Sequence, residues 1–310
     1  MTPDVRQRYE LPPSAALLET EHTKRQTIYG LWELTKPRLS FLSVATALIA
    51  YLVARPDRDT WGLFHLLCGA ALAAGGAAAL NQWLEQKTDA VMERTKSRPL
   101  PTGLVSTTQA VLWGLFLSIA GVAQLWFGAN PLAGMLGLST IVSYIAIYTP
   151  LKQRSRWATE FGAISGALPP LIGWAAAEGR ISALGWILFG ILFFWQIPHF
   201  MAIAWTYRRD YASVSFPMLS VVDPEGGRVA RWSLIHAILL VVVSLLPSFL
   251  GFASPAYLVV AAILGIRFLV LAGRFLRTRE REASARRLFL YSILYLPLLL
   301  AALLMDRWLA

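Results

Sequence analysis

The sequence predicts an all-α membrane protein whose nine transmembrane helices form two four-helix halves plus one, around a central cavity open to the cytoplasmic side. Hydrophobic residues make up 56% of the 310 positions and charged residues only 15%, which is typical of integral membrane proteins. The apolar residues lie in long blocks, and roughly 20 such residues allow one helix to cross the hydrocarbon core. Long polar segments follow the second and sixth blocks, and this spacing predicts the two halves.

The predicted spans begin with a block that follows the motif LTKPR. The second block contains the run HLLCGAALAAGGAAAL, and the third is preceded by Ser106 and Gln109, whose spacing predicts a capping box that opens a helix. Short connections such as GANP and FASP separate later blocks. In chain order, the predicted spans are 39–54, 61–84, 107–127, 131–149, 157–177, 181–205, 232–252, 255–273 and 289–305.

The fifth span differs from the others because it contains Glu160 and the pair Pro169 and Pro170. Proline removes a helical hydrogen bond and clashes with the preceding turn. We therefore expect a broken helix here, with its irregular backbone shielded from lipid by the surrounding protein.

The basic residues predict the orientation of the chain. Most of the 28 Lys and Arg residues fall into alternate connections, which stay cytoplasmic according to the positive-inside rule. The prediction is a cytoplasmic N-terminus and, with nine spans, a periplasmic C-terminus. We refer below to the end of the bundle that carries the polar segments 85–106 and 206–231 as the inner end.

The net charge of +10 follows from this topology and from the anionic inner leaflet, so it is no evidence for nucleic-acid binding. The single cysteine, Cys68, excludes a disulfide framework within one chain. Residues 1–28 contain acidic residues and no apolar core of a signal peptide. They are predicted to be a polar cytoplasmic tail, followed by one integral-membrane domain over 29–310 in a bacterial plasma (inner) membrane.

The first polar constellation lies in NQWLEQKTDAVMERTKSRPLP, directly after the second apolar block. Asn81, Glu85 and Asp89 are four residues apart, so on a helix they project within a fan of roughly 80°. Such oxygen ligands suit Mg²⁺, whose coordination is commonly completed by substrate phosphates. Arg94 and Arg98 add fixed positive charge close by.

The second and third constellations lie farther along the chain. WQIPHFMAIAWTYRRDY places His199 late in the sixth span and Arg208 and Asp210 beyond it, about 16 Å from His199 if the helix continues to Asp210. YTPLK places Tyr148 and Lys152 on one helix face. LTKPR brings Lys36 and Arg38 to the inner end of the first span. All of this polar chemistry is therefore predicted to collect at one end of the bundle.

A cavity with a metal-bound anion at its mouth and an apolar interior behind it suits an anion with an apolar tail. The sequence favours prenyl transfer, in which metal and bases stabilise the departing diphosphate and aromatic faces stabilise the allylic cation. The alternative from another class is a transporter of an anionic lipid. Transporter sites usually lie at the membrane midplane on discontinuous helices, and Glu160 with the two prolines is the evidence for that reading.

In this order, LTKPR, NQWLEQKTDAVMERTKSRPLP, YTPLK and WQIPHFMAIAW with RRDY resemble the protohaem IX farnesyltransferases (haem O synthases), a branch of the intramembrane aromatic prenyltransferase superfamily. The superfamily pattern has three Asp residues in its first motif and two or more Asp in its second. Here Gln82 follows Asn81, Glu85 is the middle carboxylate, and Asp210 is the only Asp of the second motif. These departures, together with IPHF, point to the haem branch.

The resemblance implies a role for each of these residues. Asn81, Glu85, Asp89 and Asp210 would be the catalytic residues that hold Mg²⁺ and diphosphate, and His199 would contact the haem iron or a propionate. The segment ASVSFPM lacks a glycine that the family commonly has there, which puts the geometry of the second loop in doubt. The residues implied to contact the diphosphate are Lys36, Arg38, Arg94, Arg98, Tyr148, Lys152 and Arg208.

The implied reaction joins farnesyl diphosphate to a vinyl group of haem b, with water addition, and gives haem O and diphosphate. Mg²⁺ is the implied cofactor. The implied partners are farnesyl diphosphate, protohaem IX and the lipid bilayer, with a haem A synthase or terminal oxidase assembly proteins as further candidates. A quinone-type aromatic acceptor is the alternative within the prenyltransferases.

Overall fold

The computed structural model describes residues 25–54 and 59–309, and its regular structure in those ranges is entirely helical. A first helix, α1, covers residues 25–34. The following helices are α2 Pro37–Ala54, α3 Thr60–Asp89, α4 Thr107–Ala123, α5 Pro131–Val142, α6 Thr149–Lys152, α7 Ala158–Glu178, α8 Ala183–Thr206, α9 Arg208–Ser213, α10 Leu219–Val222, α11 Gly227–Phe249, α12 Pro255–Phe275 and α13 Arg281–Leu309. Two π-helical turns, Gln124–Ala129 and Ser143–Tyr148, extend α4 and α5, and a 3₁₀ turn, Thr278–Glu280, precedes α13.

Side-chain caps start several of these helices. The Asp59 carboxylate accepts hydrogen bonds from the first backbone N–H groups of α3, which would otherwise lack partners. Ser106 and Gln109 form the predicted capping box at the start of α4, so that prediction is confirmed. At its C-terminal end, α7 is followed by Gly179, which adopts a left-handed φ of 70°. Glycine accepts this conformation without steric cost.

Among the described residues, eight helices are long and apolar enough to cross a membrane by length and composition. They coincide with eight of the nine predicted spans, and the chain is a multi-pass membrane protein. The remaining predicted span is α7, which has 21 residues and is not among these eight helices. A nine-span count therefore stays a prediction for this helix, and so does the membrane orientation.

The prediction of a broken fifth span is wrong, because α7 is one continuous helix with Pro169 and Pro170 inside it. Both prolines are buried, so neighbouring helices fill the space around the bend that proline imposes. Small residues allow this close contact: a side chain at Gly173 would overlap the carbonyl of Ala47 on α2.

The long helices pack side by side in a closed ring. α2 packs on α3 and α7, α3 packs on α4, and α5 packs on α7. The second group is built around α8, which contacts α7, α11 and α13, while α12 lies between α11 and α13. Contacts between α13 and α2 close the ring. The largest apolar core lies among α8, α11, α12 and α13, and α7 connects this core to the first group.

The inner end carries the short elements that position the polar residues. α1 lies across α3 and α4, since Gln82 Nε2 donates to Leu34 O at 2.8 Å and Trp113 Nε1 donates to Leu31 O at 3.1 Å. Residues 90–106 form a series of hydrogen-bonded turns between α3 and α4. The helices α9 and α10 form the second inner segment. The predicted tail over 1–28 lies mostly outside the described residues.

Candidate active site

One face of the inner end of α3 is polar and buried. Asn81 and Asp89 are each 2% exposed and Glu85 is 4% exposed, although all three lie in the last turns of a largely apolar helix. Their four-residue spacing places them along one stripe of the helix. Buried carboxylates require compensating charge, and the structure supplies it from three separate segments.

Each of these three polar residues receives a cation from a different part of the chain. Lys152 Nζ of α6 lies 2.9 Å from Glu85 Oε1. Arg98 Nη1, in the first inner segment, lies 2.5 Å from Asp89 Oδ2. Lys36 Nζ, between α1 and α2, donates to Asn81 Oδ1 at 3.2 Å. We call these six residues the α3 charge network.

The backbone of Lys36 is held in an uncommon conformation. Its φ of 46° lies in the left-handed region that residues with a side chain seldom adopt, and this turn directs the side chain towards Asn81. Burial, with the charges of Arg98 and Lys152, lowers the pKa of the Lys36 amine to about 7, although Glu85 and Asp89 oppose the shift. The amide of Asn81 is fixed from its other side, because its Nδ2 donates to Thr149 Oγ1 at 3.0 Å.

Asp210 brings the second inner segment to the first. Its Oδ2 accepts a hydrogen bond of 3.3 Å from the backbone N–H of Arg94, and the Arg94 guanidinium lies 5.5 Å from the centre of the Tyr207 ring. The helix does not continue unbroken from His199 to Asp210, since α8 ends at Thr206 and α9 starts at Arg208. The change of direction at Tyr207 carries Asp210 towards Arg94.

Aromatic rings surround the ammonium group of Lys152. Its Nζ lies 5.9 Å from the centre of the Tyr211 ring and 5.4 Å from that of Phe216, distances at which a cation is attracted to a ring face. Tyr148 stacks on Tyr144 with ring centres 5.5 Å apart. The sequence analysis did not identify Tyr144 or Phe216. Phe216, in the segment SFPM that follows Asp210 closely, could have been identified as a candidate.

Ser215 explains how the second segment folds without the glycine that the family commonly has. Its φ is 55°, so a serine adopts the left-handed conformation after α9. The backbone bonds from Ser215 to Ala212 and from Phe216 to Tyr211 complete this helix end. They direct Phe216 back towards Lys152.

Some predicted site residues are not part of the α3 charge network. Arg208 pairs with Glu282 at 2.5 Å and lies over the Trp205 ring at 4.2 Å, so it faces α13. Arg38 is exposed in the first turn of α2. His199 lies deeper, between α8 and α13, where its Nδ1 is 2.7 Å from Ser292 Oγ. The assignment of these three residues to substrates stays a prediction.

The predicted central cavity also stays a prediction. A cavity of about 220 Å³ is lined by Arg156, Trp157, Leu219, Arg228 and Trp232, beside the start of α7 and α11. It does not include the α3 charge network, where the side chains of Lys152 and Arg98 lie against the carboxylates.

The donor set of the network fits a hard divalent cation in part. Within residues 25–54 and 59–309, no three His, Cys, Asp or Glu side chains are close enough to hold a metal ion by themselves. The carboxylates of Glu85 and Asp89 each use one oxygen for a basic partner, which leaves the other oxygen for a cation. Such a cation would share its coordination with substrate oxygens, as is common for Mg²⁺.

Comparison with known families agrees with this geometry. Residues 43–294 match the UbiA prenyltransferase family. A protoheme IX farnesyltransferase from Opitutus terrae is 56% identical over 275 residues, covering 89% of this chain and 93% of the relative. The protoheme IX farnesyltransferase of Solibacter usitatus is 44% identical over 285 residues, covering 89% of this chain and 97% of the relative. These relatives confirm the resemblance that the motifs predicted.

Solved structures agree at the level of the fold. A digeranylgeranylglyceryl phosphate synthase has a TM-score of 0.79 at 16% identity, with 92% of this chain and 99% of that chain aligned. A UbiA homologue from Archaeoglobus fulgidus, whose structure contains GPP and Mg²⁺, has a TM-score of 0.63 at 11% identity, with 88% of this chain and 99% of that chain aligned.

Proposed function

The chain belongs to the UbiA prenyltransferase family, and on that basis we propose that it transfers a farnesyl group from farnesyl diphosphate to a vinyl group of protohaem IX. The bond between C1 of farnesyl and the diphosphate oxygen breaks, and C1 bonds to the terminal vinyl carbon. Water adds to the other vinyl carbon and loses a proton. The products are haem O and diphosphate.

The observation that carries this proposal is the α3 charge network. It concentrates three cations and two carboxylates at the end of an apolar bundle, where a substrate with a charged head and an apolar tail can lie across the boundary. The choice of farnesyl diphosphate and haem is supported by relatives with that activity in their names, at up to 56% identity over most of their length.

In this proposal the diphosphate binds the three bases that now contact Asn81, Glu85 and Asp89. Lys36, Arg98 and Lys152 would bind its oxygens, which stabilises the negative charge that develops as the C–O bond breaks. Asn81, Glu85, Asp89 and Asp210 would hold Mg²⁺. When bound, Mg²⁺ would neutralise the diphosphate and improve it as a leaving group.

The aromatic rings around Lys152 would act next. Ring faces stabilise cations within about 6 Å. Tyr211 and Phe216, which face the Lys152 ammonium, and the nearby Tyr148 would stabilise the allylic cation and exclude water from it. An apolar environment also strengthens the electrostatic contacts to the departing diphosphate.

Haem is placed on the α8 side of the site in this proposal, with His199 as the contact to its iron. A quinone-type acceptor would not use an iron ligand. The transporter alternative has lost its main support, because α7 is continuous through Pro169 and Pro170. A bacterial inner membrane with a cytoplasmic N-terminus, and contact with a haem A synthase or oxidase assembly proteins, remain parts of the proposal.

Reconstitution of the purified chain in lipid nanodiscs tests the function. With farnesyl diphosphate, haem b and Mg²⁺, we expect a product with the mass of haem O, and none when EDTA replaces Mg²⁺. A parallel reaction contains 4-hydroxybenzoate instead of haem. Prenylation of that acceptor without conversion of haem would favour the quinone branch, and transport of the prenyl diphosphate without product would contradict an enzyme.

A further inference from the structure

His199 is held between two helices by an aromatic box and one hydrogen bond. Its ring stacks on Trp195 of α8 with centres 4.8 Å apart and lies 5.1 Å from the ring of Phe289 of α13. Its Nδ1 is 2.7 Å from the Oγ of Ser292. Ser292 is completely buried, and the His199 side of the contact is partly buried.

The direction of that hydrogen bond follows from the second contact of Ser292. The serine hydroxyl has one hydrogen, and Ser292 Oγ donates it to the carbonyl oxygen of Phe289 at 2.6 Å. Ser292 Oγ can therefore only accept from His199, so Nδ1 carries the ring proton. No ion pair joins His199 to an acidic side chain in the described part of the chain.

The other ring nitrogen of His199 consequently has a free lone pair. In a neutral imidazole with a proton on Nδ1, Nε2 is the acceptor. Within the described ranges Nε2 has no hydrogen-bond partner, and it is not among the fully enclosed polar atoms that lack one. A nitrogen presented in this way is typical of a histidine that binds a metal.

Ser292 is itself fixed to α8. Its backbone carbonyl accepts a 2.8 Å hydrogen bond from Trp195 Nε1, and the ring of the same tryptophan stacks on His199. One turn of α13 therefore sets the position, the ring plane and the tautomer of His199.

We propose that Ser292 is a positioning residue that holds His199 as the Nδ1-protonated tautomer and so presents Nε2 to the iron of the haem acceptor. This inference rests on the proposed function, since it assigns the iron contact within that same site. His65 lacks this arrangement, because its Nδ1 contacts the side-chain amide of Gln124 and its Nε2 is enclosed without a partner.

The first experiment measures the tautomer without any substrate. The chain is labelled with ¹⁵N-histidine, and the His199 signals are assigned by their loss in His199→Gln. We expect a protonated Nδ1 and an unprotonated Nε2, with Ser292→Ala giving a mixture of tautomers or the reverse one. An Nε2-protonated His199 in the unsubstituted chain would overturn the inference, whatever the enzyme does.

The second experiment titrates haem b into the purified chain and follows the Soret band and the electron paramagnetic resonance of the ferric haem. We expect Ser292→Ala to weaken the affinity for haem by about 10-fold to 100-fold, the usual effect of losing a hydrogen bond to a metal-binding histidine. It should also reduce the imidazole-ligated signal. Ser292→Thr, which keeps a hydroxyl, should restore most of both.

Two control variants show whether an effect on haem binding is specific to Ser292 and His199. Ser284 is also buried on α13, and its hydroxyl has no partner within the described ranges, so Ser284→Ala should leave haem binding unchanged. His236 presents the same tautomer from α11 by donating to the carbonyl of Trp232, and His236→Ala should also have no effect.

Loss of the imidazole signal in His199→Ala with no change in Ser292→Ala would overturn the inference and leave the proposed function standing. Loss of that signal in His236→Ala instead would assign the iron contact to another residue and overturn the inference as well. Absence of haem binding in the unsubstituted chain would contradict the proposed function itself.

Discussion

The two helices that lead into the inner polar segments, α3 and α8, use opposite chemistry at their buried polar positions. On α3, Glu85 and Asp89 are ion-paired with bases from α6 and from the turns that follow α3. On α8, Gln196 and His199 make neutral hydrogen bonds, to the Ala163 carbonyl at 3.3 Å and to Ser292 at 2.7 Å. Glu85, Asp89 and Gln196 are buried and His199 is half-buried, but only the α3 set contains charges.

This difference favours different roles for the α3 side and the α8 side of the site. An ion pair can exchange partners when a charged substrate enters, because each member remains a good ligand for another ion. A neutral hydrogen bond with one fixed direction holds a ring or an amide in place instead. The α3 side therefore suits the diphosphate and its metal, and the α8 side suits a planar acceptor that needs orientation.

The largest expected effect comes from removing one member of the most enclosed ion pair. Glu85→Ala leaves the Lys152 ammonium buried without a counterion, which should destabilise the protein by about 3–5 kcal/mol and abolish product formation. Thermal unfolding in detergent and haem O formation measure the two effects. On α8, Gln196→Ala removes only neutral hydrogen bonds, to the carbonyls of Ala163 and Leu192, and should cost about 1–3 kcal/mol.

A double variant makes this comparison sharper. Glu85→Ala with Lys152→Met removes both charges and should recover most of the lost stability without recovering activity. Equal stability losses in Glu85→Ala and Gln196→Ala would show that the charges on α3 matter no more than the neutral bonds on α8.

Asp89→Ala is expected to abolish activity with a smaller loss of stability. The change removes the ion-pair partner of Arg98. The Arg98 side chain nevertheless remains 20% exposed and can turn towards water. We expect a loss in turnover of about 10²-fold to 10³-fold with a small decrease in melting temperature. Unfolding of the variant would indicate a structural role instead.

Arg98→Ala and Arg208→Ala compare a base inside the α3 charge network with one outside it. Loss of a hydrogen bond to a charged group costs about 1.5–3 kcal/mol, so Arg98→Ala should raise the KM for farnesyl diphosphate at least 10-fold. Arg208 pairs with the exposed Glu282, and such pairs contribute about 0–1 kcal/mol. Initial rates over a range of prenyl diphosphate concentrations give the KM of each variant. An equal increase in KM in both variants would place Arg208 at the diphosphate.

The smallest expected effect concerns the backbone of the second inner segment. Ser215→Gly should raise stability by about 0.5–1 kcal/mol, because glycine adopts the positive φ of this position without steric cost. Ser213→Gly, two residues earlier within α9, should lower stability by a similar amount. The paired melting temperatures test the assignment, which fails if both changes act in the same direction.

The sequence allowed the helices and much of the α3 side to be predicted, because spacing determines which residues share a helix face. Asn81, Glu85 and Asp89 were placed on one buried stripe, and Ser106 with Gln109 was identified as a cap. Lys36, Arg98 and Lys152 were assigned to the same site from their positions at the inner ends of helices.

Other features depend on contacts that spacing does not encode. Arg208 lies only two residues before Asp210 in sequence but pairs with Glu282, because a long side chain can reach partners that are distant along the chain. Pro169 and Pro170 remain in a continuous helix because the neighbouring helices fit around them. Ser292 belongs to none of the sequence motifs, and its proposed positioning role follows only from the two hydrogen bonds of its hydroxyl group.

The α3 charge network also determines how the site responds to its surroundings before substrate arrives. Its cations and carboxylates already serve as counterions for one another, so little dissolved salt is needed to balance them. Entry of a metal-bound diphosphate then rearranges existing contacts, without stripping water from bare charges. Affinity for the prenyl diphosphate should consequently depend less on ionic strength than affinity at an open basic surface, where screening weakens each contact.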